Sequence, residues 1–239
     1  MSRIKYHFSR LAKKINRFSM YRKSLRFYSH FLHPGDLCFD VGAFQGDRTQ
    51  MFLKLGARVI AIEPQEKNIE YLRQRFSQND SFRLVGKGLA EREGNLPFFL
   101  NEESGSISTF SDQWKKGRFS NCRWNKGQLV PTTTLNKLIE EFGPPDFCKI
   151  DVEGFELQVL KGLSRPLPLI SFEFTKEFFD DAKSCIDHLL TLGRMEFNCA
   201  LGESMRLLFP AWHSPAELFQ VLSSIDSELL WGDIYARLR

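Results

Sequence analysis

Apolar positions along the chain change period repeatedly, and those changes predict alternating helices and strands. Near the N-terminus Ile4, Phe8, Leu11, Ile15, Phe18 and Leu25 recur at spacings that share one helical face. Pro34-Gly35-Asp36 ends that pattern. Short apolar runs then predict strands at 37–41, 58–63 and 81–85, separated by helices at 49–55 and 68–76, with an extra strand at 96–100. Further on, 129–134 reads as extended, 135–142 as a helix stopped by Gly143, 146–151 as a buried strand and 157–161 as a helix. A strand at 169–174 and a helix at 176–192 follow, then strands at 195–200 and 206–209. Ser214-Pro215-Ala216-Glu217 matches a capping box with proline at the first helical position, and 234–238 predicts a last strand. Strands alternating with helices indicate the α/β class, a mainly parallel sheet covered on both faces.

Residues 101–128 interrupt this rhythm. They are rich in Ser, Gly and Asn, with Phe110, Trp114, Phe119 and Trp124 set among Lys115, Lys116, Arg118, Arg123 and Lys126. An insertion of this length is usually functional or disordered, and large aromatics argue against disorder. It reads either as a lid facing a substrate, with Trp114 as a contact, or as a loop folded back on the core.

The formal net charge of +4 is unevenly spread. Residues 1–35 hold nine Lys or Arg and no acid, leaving 24 basic against 29 acidic residues elsewhere. The chain therefore divides into a basic amphipathic extension, 1–33, and one α/β domain, 34–239. The extension packs on the domain or a second subunit, or else residues 1–30 lie on an anionic membrane or bind an acidic substrate. An acidic body argues against nucleic acid as partner. The five cysteines lack paired spacing, and Cys38 and Cys148 fall in apolar runs, as core thiols of a reducing compartment do. No apolar run reaches the length of a membrane span, and none follows the basic residues as a secretory signal requires. The expected setting is cytoplasmic, with peripheral membrane contact through the extension as a further reading.

Candidate chemistry starts at Asp40-Val41-Gly42-Ala43-Phe44-Gln45-Gly46, a glycine turn between a strand and a helix. The next strand ends in Ile62-Glu63-Pro64. Strand, glycine turn, helix, then strand with a terminal acid is half of a nucleotide-binding unit. The glycines would let the backbone approach a ligand, and Glu63 would accept ribose hydroxyls. The spacing departs from G-x-G-x-x-G, and Asp40 would repel a pyrophosphate but attract the cationic end of S-adenosylmethionine. Lys149-Ile150-Asp151-Val152-Glu153-Gly154-Phe155-Glu156 ends another strand with three carboxylates. Strand ends beside a switch point form the ligand crevice, so Asp40, Glu63 and Asp151 are expected to converge there. Glu153 and Glu156 can equally be read as helix N-terminal acids. Asp151, Glu153 and Glu173 are the candidate bases, and their oxygens would suit Mg²⁺. Lys149 is a candidate ion partner for Asp151. The histidines show no metal-binding spacing.

With DVGAFQG at 40–46, Ile62-Glu63-Pro64, VPTTTL at 130–135 and KIDVEGFELQVLKG at 149–162, the chain resembles the FkbM-type methyltransferase family. The resemblance runs from about Leu37 to Phe174 and implies a doubly wound, seven-stranded class I sheet with an antiparallel last strand. It implies S-adenosylmethionine held by Asp40, Gly42, Ala43, Gly46, Glu63, Pro64 and Asp151. Leu89 would lie near the adenine. It also implies methylation of a hydroxyl on a sugar, glycolipid or natural product, with Ser106 and Ser108 among the acceptor contacts. A binding module of the same fold without turnover is the alternative. No Asn/Asp-Pro-Pro-Tyr/Phe motif that would grip an exocyclic amine is present, which disfavours a nucleic-acid methyltransferase, and the glycine spacing disfavours a dinucleotide oxidoreductase.

Overall fold

The computed structural model describes residues 19–116 and 119–239. A helix described over 19–28 (α1) leads into β1 (Leu37–Val41), α2 (Asp47–Lys54), β2 (Arg58–Ile62), α3 (Glu66–Phe76) and β3 (Phe82–Val85). Short strands β4 (Gly88–Leu89), β5 (Gly94–Phe98) and β6 (Gln128–Thr133) follow. The chain continues through α4 (Leu135–Phe142), β7 (Phe147–Ile150), α5 (Glu156–Lys161), β8 (Leu169–Thr175), α6 (Phe179–Leu192), β9 (Met195–Leu201), α7 (Pro215–Ser224) and β10 (Trp231–Leu238).

Seven strands form one sheet in the order β3-β2-β1-β7-β8-β10-β9. Neighbours are parallel except β10, which runs antiparallel to both β8 and β9. The chain starts at β1, works outward to β3, then returns to place β7 on the other side of β1. That reversal is a switch point, and the crevice above it is where open α/β sheets bind ligands.

Strand parity divides the interior. Leu37, Phe39 and Val41 of β1 face the layer made by α4, α5, α6 and α7, among them Leu138, Leu160, Ile186 and Leu218. Cys38 faces the opposite layer, where Phe27 and Tyr28 of α1 and Phe52 of α2 pack on Phe147 and Tyr235. Tyr28 meets Phe52 edge-on at 5.0 Å, and Phe31 stacks on Tyr235 at 5.2 Å. The C-terminal part of the basic extension is thus core-forming. The positions Ile4, Phe8, Leu11, Ile15 and Phe18 lie outside the described residues.

Most predicted elements are present within two or three residues, and β10 supplies the antiparallel last strand. The strand expected at 206–209 is absent. There the buried Asn198 amide replaces a ladder partner: its Nδ2 donates to the carbonyls of Phe209 and Ala211, and its Oδ1 accepts from the Phe209 N–H. The insertion is a folded element. It hangs from a separate sheet ordered β4-β6-β5 and is pinned by the Phe99–Thr109 and Asn101–Trp124 bridges. Cys38, Cys148, Cys185 and Cys199 are buried, and Cys122 is half-buried.

The capping box is formed: Ser214 accepts from the Glu217 N–H, and Glu217 accepts from the Ser214 N–H. Replacing Ser214 by Ala should lower the unfolding free energy by about 1 kcal/mol in urea denaturation. An unchanged midpoint would mean the cap adds nothing.

Candidate active site

The ends of β1, β2 and β7 rim a cleft lined by Gly42, Phe44, Glu63, Pro64, Leu89, Asp151 and Glu153. Ser106, Ser108 and Phe110 of the insertion close it from above. Glu63 organises the near wall. Its Oε2 accepts from the Phe44 N–H at 2.8 Å, and its Oε1 accepts from the Gln65 N–H at 2.8 Å and from Asn68 Nδ2 at 3.2 Å. Phe44 and Glu153 both hold left-handed backbone, φ 50° and 57°, which costs a bulky residue energy and gathers at ligand sites. Burial raises the Glu63 pKa to about 7 in spite of three donors. A carboxylate has about four lone-pair sites, so one remains for a ligand hydroxyl.

The glycines also answer to chain packing. A Cβ on Gly42, at φ +81°, would stand 1.8 Å from the Asp151 carbonyl oxygen. One on Gly46, at φ +79°, would stand 2.6 Å from Leu72 and Phe76. The first glycine joins the β1 turn to the end of β7, and the second seats α2 on α3. Ala43 is buried with Leu72 and Phe76, away from the cleft wall.

Asp40 is likewise below the cleft. By strand parity it shares the side of Cys38, and its carboxyl accepts from Thr49 Oγ1 at 2.5 Å. Burial lifts its pKa to about 6 against the pull of Thr49, Lys149 and Arg48. The expected convergence of three acids is therefore met by Glu63 and Asp151, which line one cleft, while Asp40 faces α2 from beneath.

Lys149 is 1% exposed, and its Nζ donates to Asp151 Oδ2 at 3.1 Å and Asp233 Oδ1 at 2.9 Å. Burial opposes the charge, but Asp151 and Asp233 outweigh it and hold the ammonium well above the usual lysine value. Glu156 has the structural role: its Oε1 accepts from the Val152 and Gly154 N–H groups and shapes the loop.

Carboxyl oxygens of Asp151, Glu153 and Glu173 lie within 4.8 Å of one another. Burial first, then Asp151 and Glu153, push Glu173 well above the ordinary glutamate value. Glu173 and Trp114 line a second cavity beyond this cluster. Ser106 hydrogen-bonds Ser104 and Ser108 accepts from Asn101, both within the insertion. Two further bonds hold the insertion across the cleft: Gln65 Nε2 donates to the Gly105 carbonyl at 2.9 Å, and Thr109 Oγ1 donates to the Glu153 carbonyl at 2.7 Å. Sequence reasoning missed Asn68, Gln65 and Thr49, which carry no motif, and Asp233. An acid amid the apolar positions of the last strand was the available signal for Asp233.

The sheet order, with its antiparallel penultimate position, and the crevice at the switch point define a class I methyltransferase-like α/β fold. The methyltransferase FkbM domain model matches residues 40–202, and the chain belongs to that family. Hexuronic acid methyltransferase AglP from Haloferax volcanii is 29% identical over 139 residues, 57% of this chain and 54% of the relative. The chain thus spans about half the length of that curated relative. Among solved structures, precorrin-6y C5,15-methyltransferase from Geobacter metallireducens aligns at a TM-score of 0.49 and 12% identity, over 91% of this chain and 86% of that one. An O-methyltransferase from Bacillus cereus in complex with SAH aligns at 0.47 and 12% identity, over 93% and 81%.

Asp40 offers a test of this electrostatic arrangement. With its folded pKa raised to about 6, the native state keeps a proton that the unfolded chain releases, so stability falls as pH rises through that window. Asp40→Asn retains an acceptor for Thr49 and removes the buried charge. Its unfolding free energy relative to the wild-type chain should increase between about pH 4 and about pH 8 in urea titrations. A difference independent of pH would show that Lys149 and Arg48 already compensate the charge.

Proposed function

We propose that the protein is an S-adenosylmethionine-dependent O-methyltransferase acting on a hydroxyl of a sugar, glycolipid or natural product. The observation that carries this reading is the placement of Glu63 and Asp151 on one cleft at the switch point, with the Glu173 carboxyl within 4.8 Å of that of Asp151. Membership of the FkbM family and the substrate named for the archaeal relative, a hexuronic acid, support a sugar as acceptor.

The donor groups fit the cofactor. Glu63 keeps one acceptor site for a ribose hydroxyl, Pro64 shapes the turn beside it, and Ile62, Leu89 and Phe98 give an apolar wall for the base. Gly42 and Asp151 stand at the end suited to a positively charged group, with Asp40 adding its field from beneath the floor. Bound there, the cofactor supplies a methyl group on a sulfonium. Phe110 and the 104–110 segment keep water from the acceptor oxygen, and fixed positioning can be worth effective molarities of about 10⁵ M or more.

Glu173 takes the acceptor's proton as the oxygen gains its methyl group. Asp151, fixed by Lys149, and Glu153 border the same point. These oxygens also form a hard donor set of the kind Mg²⁺ prefers. The Lys149 ammonium 3.1 Å from Asp151 already supplies a positive charge, which favours the proton-transfer reading. A glycolipid acceptor would bring the basic extension to an anionic membrane, and no helix among the described residues is long and apolar enough to cross one. The acidic balance of residues 36–239 supports a small molecule or glycan over nucleic acid.

Calorimetric titration with S-adenosylhomocysteine tests the cofactor. Glu63→Ala should weaken that binding about 10- to 100-fold, the worth of a hydrogen bond to a charged acceptor, and Glu63→Gln should weaken it less. Unchanged affinity in both would remove Glu63 from the ribose. The base assignment is tested by the pH dependence of methyl transfer to a glycoside panel. Because burial and the neighbouring carboxylates raise the Glu173 pKa, its basic form and the rate should both still be growing at pH values above the ordinary glutamate range. Glu173→Gln should flatten that rise and slow transfer about 10²-fold or more. Cofactor binding with no transfer to any acceptor would favour a binding module without turnover.

A further inference from the structure

We propose that the cavity beyond Glu173 seats the acceptor, and that it is built for a hydroxylated ring without negative charge, a neutral or aminated sugar. The proposal rests on the methyl-transfer reading and adds to it the acceptor's place and charge class. The cavity measures about 330 Å³, at the lower end of small-molecule sites. It lies between the insertion, the start of α5 and the junction of β8 with α6. Its walls are aromatic: Phe110, Trp114, Phe155 and Phe178, with Trp114 and Phe178 stacked at 5.6 Å.

Three polar atoms on this wall are sealed from solvent and have no hydrogen-bond partner: Trp114 Nε1, Thr175 Oγ1 and Glu173 Oε2. Trp114 and Thr175 are only 4% and 3% exposed. Buried polar groups are nearly always paired, so three orphans on residues that line one cavity mark an absent partner. They offer an N–H donor, a hydroxyl that can donate or accept, and a carboxyl. Aromatic faces with that polar set suit a ring having apolar C–H faces and a hydroxyl rim.

Charge narrows the class. Asp112, Glu156, Glu173 and Asp181 line the cavity, and no Lys or Arg is among its described lining residues. Asp112 is paired with Lys115 at 2.7 Å, so a carboxylated ring would meet chiefly Glu156, Glu173 and Asp181. Position links the cavity to the chemistry. Phe110 borders both cavity and cofactor cleft, and the Glu173 carboxyl lies within 4.8 Å of those of Asp151 and Glu153 on the cleft rim. A hydroxyl presented to Glu173 therefore stands where the two spaces join.

The test is saturation-transfer NMR and tryptophan fluorescence titration on the full chain, with and without S-adenosylhomocysteine. The probes are methyl glucoside, methyl glucosaminide and methyl glucuronide. The neutral and amino glycosides should bind, and the glucuronide should bind at least about tenfold more weakly, roughly one unpaired buried interaction. Thr175→Val, which keeps the shape, should weaken the neutral glycoside about tenfold and leave S-adenosylhomocysteine affinity unchanged. Trp114→Phe should remove the glycoside-dependent fluorescence change, with thermal melts confirming that both variants fold. The proposal is overturned if the glucuronide binds as tightly as the others, if no glycoside binds, or if Thr175→Val leaves glycoside affinity intact. Failure of S-adenosylhomocysteine to bind would instead remove the methyl-transfer reading, while glycoside binding to the unloaded chain would still decide the cavity.

Discussion

One buried ammonium ties β7, the acid on the cleft rim and β10 together at the site. Lys149 and Asp233 belong to β7 and β10, which are not neighbours, since β8 runs between them. In the ladder Lys149 pairs with Ser171, and Ser171 pairs with Tyr235. The small Ser171 side chain leaves room for the lysine to pass over β8 and reach Asp233. The other arm of the same ammonium reaches Asp151 on the cleft rim. Losing one partner from such a buried set typically costs about 3–5 kcal/mol, because the remaining charge has nowhere to go. The rim acid is therefore anchored to the strand that distinguishes this topology from a purely parallel sheet.

Around that anchor, the side chains that look catalytic divide into those that face ligand space and those that build it. Asp40, Glu156 and Gly46 belong to the second group, and Gly42 to both. Asp40 faces α2, Glu156 ties its own loop, and Gly42 lets a carbonyl approach where any Cβ would collide. Glu63 serves both ends, since three of its acceptor sites fix the turn that carries Phe44. Glu173 is the odd one among the acids: its second oxygen is buried without a partner, a state tolerable for a protonated carboxyl and costly for a charged one.

The legible part of the fold was that governed by local pattern. Buried strands such as Leu37–Val41 and Phe147–Ile150 stand out as apolar runs, and Ser214-Pro215 announces its helix. Arg206–Phe209 misled because its pattern is strand-like while only Leu208 reaches the β9 backbone and Phe209 bonds the Asn198 side chain instead, a tertiary choice that no local window contains. The site was half legible. Strand-terminal acids are visible in sequence, but which face each takes depends on parity against layers packed from distant residues, and that sent Asp40 downward. The second cavity was hidden because Trp114 and Thr175 are separated by 61 positions and meet only through the folded insertion.

Four of the five thiols are sealed within the sheet and its helices, and the fifth, Cys122, sits on the insertion. Nature has thus left a single reachable sulfur on the segment that spans the cleft. A maleimide dye or spin label should attach there without any cysteine being engineered in or out. The native chain so carries its own reporter on the insertion that Gln65 and Thr109 tie across the cleft.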